Sequence, residues 1–411
     1  MKVLKLTPFF HHPDADSWPP AYDSVGGMQV QTWRQAVWLA QEGIHQHVMT
    51  IGFPSLPKLR KLHPLLWVER TLLPMPRIRS EFSGLIGLTQ SWAVATLYVL
   101  LRKRRTYDFD IIHSHLDGQI AALLVACLAP RLLLRPLILT VHCSRLAVYT
   151  PHSWLDMLQH RLARWLERKA VRRAFAVVAL TQRTASQLSH DARHVEIIPD
   201  VVDIMQFAPP PPEDIAAFRK HHNLRRQTVG FVGRIAKEKG WQHLIPLAQA
   251  LREQECELLI VGDGTQRDRL RHAIDKAGLQ DWVTVTGFIP NHEVPLAMAA
   301  CRLIVMPSAY EEFGGASIEA LATGVPVVAF AVGGLPEILR HITPDLLVEP
   351  ENTPALIARV SAVLAGHHAQ SVDPARLRAY VEQRYAPSTM GGRILYLYRL
   401  ALINPTKPVK P

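Results

Sequence analysis

The chain has few cysteines, few aromatics and no long apolar run, and each shortage removes a class of protein. The four cysteines, Cys127, Cys143, Cys256 and Cys301, are scattered and form no C-x-x-C pair. That excludes a zinc ribbon and a disulfide framework, and a reducing cytoplasm is the expected setting. No uninterrupted apolar stretch reaches the roughly 18 residues of a membrane-spanning helix, so none is expected. The start, Met1 to Pro8, is too short and too interrupted for a secretory leader and reads as a first β-strand ending at a proline. Aromatics make up 7% of the chain, and no groove of interleaved aromatic and basic residues emerges, so nucleic acid is not an expected partner. Val261-Gly262-Asp263-Gly264 falls short of a full G-x-G-x-x-G, and no nicotinamide site is read there. No repeat of fixed period is visible.

The 411 residues, 48% of them hydrophobic, suffice for two full cores. Short apolar strands alternate with helical stretches in both halves, which predicts an α/β protein with parallel, doubly wound sheets. In the first half the expected strands lie near 3–7, 47–51, 111–113, 138–142 and 176–180, with a helix from Met28 to a cap at Gly43. Phe207 to Glu213, with its four prolines Pro209 to Pro212, reads as linker. In the second half strands are expected at 229–233, 258–261, 283–286, 303–305 and 327–330. Thr265 with Asp268 predicts a capped start for the next helix. The expected division is 1–205, 206–385, and a last segment 386–411. In that segment a helix near 390–402 crosses back to the first domain, ahead of a frayed tail. Two such domains facing each other would bind ligands in a cleft at the carboxyl ends of their strands.

Two motifs carry chemistry. Pro307-Ser308-Ala309-Tyr310-Glu311-Glu312-Phe313-Gly314-Gly315-Ala316-Ser317-Ile318-Glu319-Ala320 places Glu311 on a glycine-bearing loop and Glu319 in the helix that follows. Carboxylates chelate sugar hydroxyls, and a helix N-terminus holds phosphate. A ligand that is both sugar and diphosphate is a nucleotide-sugar. Gly233-Arg234 with Glu238-Lys239-Gly240 offers a planar guanidinium fork and a point charge to phosphate oxygens. Two cations there would stabilise a departing diphosphate more than a bound donor. The bland alternative is a solvated loop with an incidental Lys–Glu pair.

Other features are weaker. Gly26-Gly27 opens the first long helix and would admit a phosphate. His142 ends a strand and would donate to a hydroxyl or orient an acceptor. His113 and His115 have H-x-H spacing but no third ligand, which favours a structural or substrate-shaping role over metal. Asp14-Ala15-Asp16 and Asp108-Phe109-Asp110 match D-x-D only superficially, and no metal site is expected. Trp154 to Arg173 reads as a basic amphipathic helix with one stripe of Leu158, Leu162, Leu166 and Ala170 and another of Arg161, Arg164, Arg168 and Arg172. With further basic residues at 58–79 and 102–105 and a net charge of +11, an anionic membrane surface is one reading and a solvated face the other.

Taken together, Glu311-x(7)-Glu319, Gly233-Arg234 with Lys239-Gly240, Gly26-Gly27 and Val327 to Gly334 resemble the family 4 retaining glycosyltransferases of GT-B fold, along nearly the whole chain. The resemblance implies that Arg234 and Lys239 hold the donor diphosphate and that Glu319 holds the ribose. It places Glu311 on the transferred sugar beside the backbone amides of Phe313 and Gly314. Gly27 would approach the phosphates, and His142 would contact the sugar and reaction centre. It implies no metal and no cofactor, the nucleotide-sugar being a substrate. Where that family usually carries Asn-Gly-Val-Asp, this chain has Asp200-Val201-Val202-Asp203.

Residues 6–12, 25–31 and 140–149 look further like the aminoglycoside-pathway transferases that place N-acetylglucosamine or glucose on 2-deoxystreptamine. Phe313 stands where that subgroup is expected to have Leu. Asp14, Asp16, Asp23 or Asp117 would then face a cationic aminocyclitol. Two alternatives stay open: a transferase at the inner membrane face acting on a lipid-linked glycan or lipopolysaccharide, and an NDP-sugar 2-epimerase.

Overall fold

The computed structural model describes residues 1–13, 27–52, 55–73, 78–80, 84–144, 154–368 and 373–403. The chain forms two compact units: Met1–Asp200 together with the segment from Pro387, and Val201–Ala386. Asp14, Asp16, Asp23, Gly26, Arg77 and residues 145–149 lie outside the described residues.

The first unit runs β1 (Lys2–Leu6), α1 (Gly27–Gln41), β2 (His45–Thr50), β3 (Leu59–His63), β4 (Leu66–Arg70), β5 (Ile78–Ser80), β6 (Gly84–Ile86), α2 (Leu88–Lys103), β7 (Ile111–Leu116), α3 (Ile120–Leu133), β8 (Leu137–Val141), α4 (Trp154–Arg173), β9 (Ala176–Ala179), α5 (Gln182–Leu188) and β10 (Val195–Ile197). Its main sheet has the order β10-β9-β8-β7-β1-β2-β4-β3, and β3 against β4 is its one antiparallel pairing. β5 and β6 form a separate small hairpin.

Strand alternation sends Leu4, Leu6, Ile112, Leu139 and Val141 to one face, into a core shared with Trp92, Leu100, Leu123 and Leu166 of the helices. Opposite, Val48, Leu66 and Val68 pack with Phe10, Ala36 and Ala40. The centre of this second face is polar: Lys5, His113, His115 and Thr140 are all buried.

The second unit runs α6 (Pro212–His221), β11 (Gln227–Val232), a 3₁₀ turn at Lys237–Lys239, α7 (Leu244–Glu253), β12 (Cys256–Val261), α8 (Arg267–Lys276), β13 (Val283–Gly287), α9 (Val294–Ala299), β14 (Leu303–Met306), α10 (Gly315–Ala322), β15 (Val327–Phe330), α11 (Leu335–Leu339), β16 (Leu347–Val348), α12 (Thr353–Leu364) and α13 (Pro374–Tyr385). Its six strands are all parallel, in the order β13-β12-β11-β14-β15-β16. A last helix, α14 (Pro387–Ile403), packs against α1 and β7 of the first unit.

Three local expectations are corrected. Pro212 is not linker but the first residue of α6, a position where its missing N–H costs nothing. The predicted cap of Thr265 with Asp268 does not form; α8 starts after Gln266 without a side-chain cap bond. The apolar stripe of α4 is split, with Leu166 and Ala170 buried but Leu158 and Leu162 60% and 46% exposed.

Candidate active site

In a doubly wound sheet ligands bind where strand order reverses, beyond the carboxyl ends of the two strands that flank the reversal. In the second unit that place lies between β11 and β14, neighbours in the sheet although two strands intervene in the chain. Arg234 and Lys239 follow β11, and Glu311 follows β14. Adjacency of these strands thus joins two motifs that are 72 residues apart.

The two loops are bonded to each other. The amides of Ala309 and Tyr310 donate to the carbonyl of Glu238 at 2.9 and 3.3 Å. Gly240 caps the 3₁₀ turn with φ +69°, and a Cβ there would lie 1.8 Å from the carbonyl oxygen of Pro307, so no other residue fits. Gly333, at φ +55°, presses as closely from the other side: its Cβ would lie 1.5 Å from the carbonyl oxygen of Glu311.

Within this cradle Lys239 Nζ donates to Glu311 Oε1 at 2.6 Å, and Ser308 Oγ donates to the same oxygen at 2.9 Å. Glu311 is nearly buried and Lys239 about a quarter exposed. Arg234 pairs instead with Glu238 at 2.8 Å, at the surface. The incidental Lys–Glu pairing within the turn is therefore absent, and the two cations each hold a different carboxylate. Ser308 and Glu238 lie inside the two motifs but were given no role there; the hydrogen bond of Ser308 to Glu311 and the bonds from Ala309 and Tyr310 to Glu238 appear only in the structure.

Phe313 is buried, with its ring 6.0 Å from that of Tyr385. Gly314 caps α10 in the left-handed region, and the amides of Phe313, Gly314, Gly315 and Ala316 find no acceptor among the described residues. Such a row of open N–H groups at a helix start attracts oxyanions. Glu319 is the fifth residue of α10 and half-buried. Asp263 is occupied locally, accepting from Arg267 at 2.9 Å and from the Gly264 amide at 2.7 Å. Val201 and Val202 are buried, and Asp203 accepts from the Met205 and Gln206 amides, so the departure at 200–203 builds a turn.

In the first unit Gly27 opens α1, and a Cβ there would meet none of the described residues within 4 Å. His142 follows β8 and is half-buried, and its Nε2 lies 3.0 Å from Nδ1 of His115. Burial chiefly, with Lys5 nearby, pushes the His142 imidazole down to about 3, so it is neutral at physiological pH. His113 is held by Tyr398 and Thr140, the role of a structural residue. Asp108 pairs with Lys2 at 3.0 Å, and Asp110 accepts from the Lys2 amide, which ties this D-x-D to β1. Among the described residues no group of three or more His, Cys, Asp or Glu could hold a metal ion, and no helix is long and apolar enough to cross a membrane.

Comparison with known proteins matches residues 213–382 to "Glycosyl transferases group 1" and residues 25–206 to "Glycosyltransferase Family 4". The chain is 43% identical to a 2-deoxystreptamine N-acetyl-D-glucosaminyltransferase of Streptomyces fradiae, over 98% of this chain and 97% of the relative. It is 42% identical to a 2-deoxystreptamine glucosyltransferase of Streptomyces kanamyceticus, over 82% of this chain and 89% of the relative. Among solved structures, sucrose-phosphate synthase of Thermosynechococcus elongatus superposes with TM-score 0.81 at 23% identity, covering 98% of this chain and 100% of the other, a likeness of fold.

Proposed function

This chain belongs to the group 1, family 4 glycosyltransferases, and from that premise we propose that it moves a hexose or N-acetylhexosamine from a UDP-sugar to a hydroxyl of 2-deoxystreptamine, with retention. The observation that carries the acceptor is the 43% identity, sustained over nearly the full chain, to a transferase bearing that acceptor's name.

In the proposed reaction the bond from the anomeric carbon to the diphosphate oxygen breaks. The acceptor oxygen attacks the same face, and its proton passes to the leaving diphosphate. Lys239 gives up Glu311 for a phosphate oxygen and, with Arg234, stabilises the charge that grows on the leaving group. We assign that charge to these two residues rather than to a divalent cation. Glu311, released, positions the sugar hydroxyls. Glu319 takes the ribose, the amides of Phe313 and Gly314 take oxyanion character beside the sugar, Gly27 admits the phosphates and His142 contacts the sugar.

The test is a mass-spectrometric assay in EDTA with a panel of nucleotide-sugars, each with and without 2-deoxystreptamine. The expected outcome is an acceptor-dependent gain of one hexose or hexosamine. Lys239→Ala and Glu311→Ala should each lose at least about a hundredfold in kcat, the scale of one transition-state donor. Rates near wild type in both variants would falsify the site.

A second reading keeps the chemistry and moves the acceptor to a membrane. It rests on the outer face of α4, where Trp154, Leu158, Leu162 and Trp165 are 46–70% exposed and Arg161 and Arg164 stand among them. Lys169 lies over the Trp165 ring at 4.2 Å. Exposed tryptophans interleaved with cations suit an anionic lipid interface.

A further inference from the structure

The polar centre of the first unit's sheet holds a column of three imidazoles. His113 and His115, both on β7, stack at 4.5 Å between centroids and 26° between planes. His142 lies edge to edge with His115, the centroids 5.3 Å apart and the planes within 23°. Tyr398 of α14 fixes the far end, its hydroxyl 2.7 Å from His113 Nδ1, and Thr140 of β8 lies 2.8 Å from His113 Nε2. Lys5 from β1 and Gln35 from α1 complete the surroundings, joined at 2.6 Å. Both nitrogens of His113 are therefore committed.

His115 is 1% exposed and differently placed: its Nδ1 faces His142 Nε2 at 3.0 Å, while its Nε2 is buried with no partner. One proton must lie between the two facing nitrogens. If His142 donated it, a neutral His115 would carry its own proton on Nε2, as a buried N–H with nothing to bond. If His115 donates it, the orphan is only a bare lone pair. Buried N–H groups without acceptors are the rarer of the two defects. Double protonation is disfavoured at all three rings, because burial first, and then repulsion from Lys5 and, at His113 and His115, from neighbouring imidazoles, lowers their basicity.

We infer that His115 is a positioning residue that donates from Nδ1 to His142 Nε2, leaving His142 as a neutral imidazole with its proton on Nδ1, a donor for a substrate oxygen. That second nitrogen of His142 has no partner among the described residues, and the ring is half-buried, so its N–H is available. It follows that His142 does not take the acceptor's proton: its only bare nitrogen is occupied by His115. The substrate contact rests on the function proposed above; the tautomer does not.

The test is nitrogen-15 NMR of the full chain labelled at histidine, with the His142 signals assigned by their loss in His142→Asn. Wild type should show His142 protonated at Nδ1. His115→Phe keeps a ring in the stack but offers no donor, and should move the His142 proton to Nε2 in part or whole. It should also lower kcat/KM about threefold to tenfold, the worth of one hydrogen bond. His115→Asn carries an amide nitrogen as far from Cβ as Nδ1 and should restore both. A wild-type His142 protonated at Nε2, or an unchanged tautomer in His115→Phe, overturns the inference. The wild-type spectrum decides even if His115→Phe fails to fold. Absence of transferase activity in wild type would refute the proposed function while leaving the tautomer measurable.

Discussion

Three neutral histidines in one unit, two buried and one half-buried, must bind protons in acid once it unfolds, and that shapes how stability responds to acid. For His142 the folded value is about 3, well below the ordinary 6.5, and His113 and His115 are lowered in the same sense by burial. A depressed imidazole costs nothing above the unfolded value and destabilises progressively as pH falls below it. Glu69 adds to this lower down. Burial raises its carboxyl, but hydrogen bonds from His47, Tyr107 and Lys103 outweigh that and leave it at about 2. Its contribution is intact above 4.5 and lost as pH falls towards 2. Besides Lys5, whose amine burial holds well below its ordinary value and which weakens the unit from higher pH, the first unit should therefore lose stability in two acid stages, the histidine stage beginning near pH 6.5. Each histidine contributes up to about 1.4 kcal/mol per pH unit in that stage. Urea midpoints measured from pH 7.5 to 5 on wild type and His115→Phe check this, and equal slopes would contradict it. The spacing of these histidines was visible in the sequence, where it suggested metal as one reading. Their stacking was not, because it depends on β8 lying beside β7 and on Tyr398, 285 residues from His113.

Elements were legible where their own residues dictate them. The central apolar strands of both sheets fall where periodicity places them, because each buries a continuous face, and helix α4 also falls where expected although its stripe is buried only at Leu166 and Ala170. β3 and β4 were missed. β3 carries Arg60 and Lys61, is largely exposed and sits at the edge of its sheet, so its strand character comes from pairing rather than from apolar content. The chemistry of the second unit was legible as two motifs, but their union needed the β11–β14 adjacency, which no single element encodes. Helix α14 supplies a test of packing at this scale. It contains adjacent glycines in opposite settings: a Cβ on Gly391 would lie 2.0 Å from the Trp38 ring of α1, whereas one on Gly392 meets nothing within 4 Å. Gly391→Ala should destabilise by about 1–3 kcal/mol through overpacking. Gly392→Ala should be neutral or stabilise by up to about 1 kcal/mol through helix propensity. Calorimetry that ranks the two variants in the reverse order would refute this account of the α1–α14 contact.

At the scale of the whole molecule, a net charge of +11 favours anionic partners without naming one. Co-sedimentation separates a nucleotide-sugar donor from a lipid surface as the anionic partner. The membrane reading requires the protein to pellet with anionic vesicles, to ignore zwitterionic ones, and to be released as salt rises. Failure to pellet at low salt eliminates it. The unit that begins at Met1 takes α14 from beyond Ala386, after the other unit is complete. During synthesis, the whole of residues 201–386 is made before Pro387 is added, so the second unit is complete in the chain while the first still lacks α14. The polar layer around Lys5 and His113 meanwhile waits for Tyr398, about ten to forty seconds at ordinary elongation rates. A nascent chain stalled in that interval leaves the sheet face without α14 and His113 Nδ1 without its partner, the stage of its life at which chaperones have most to hold.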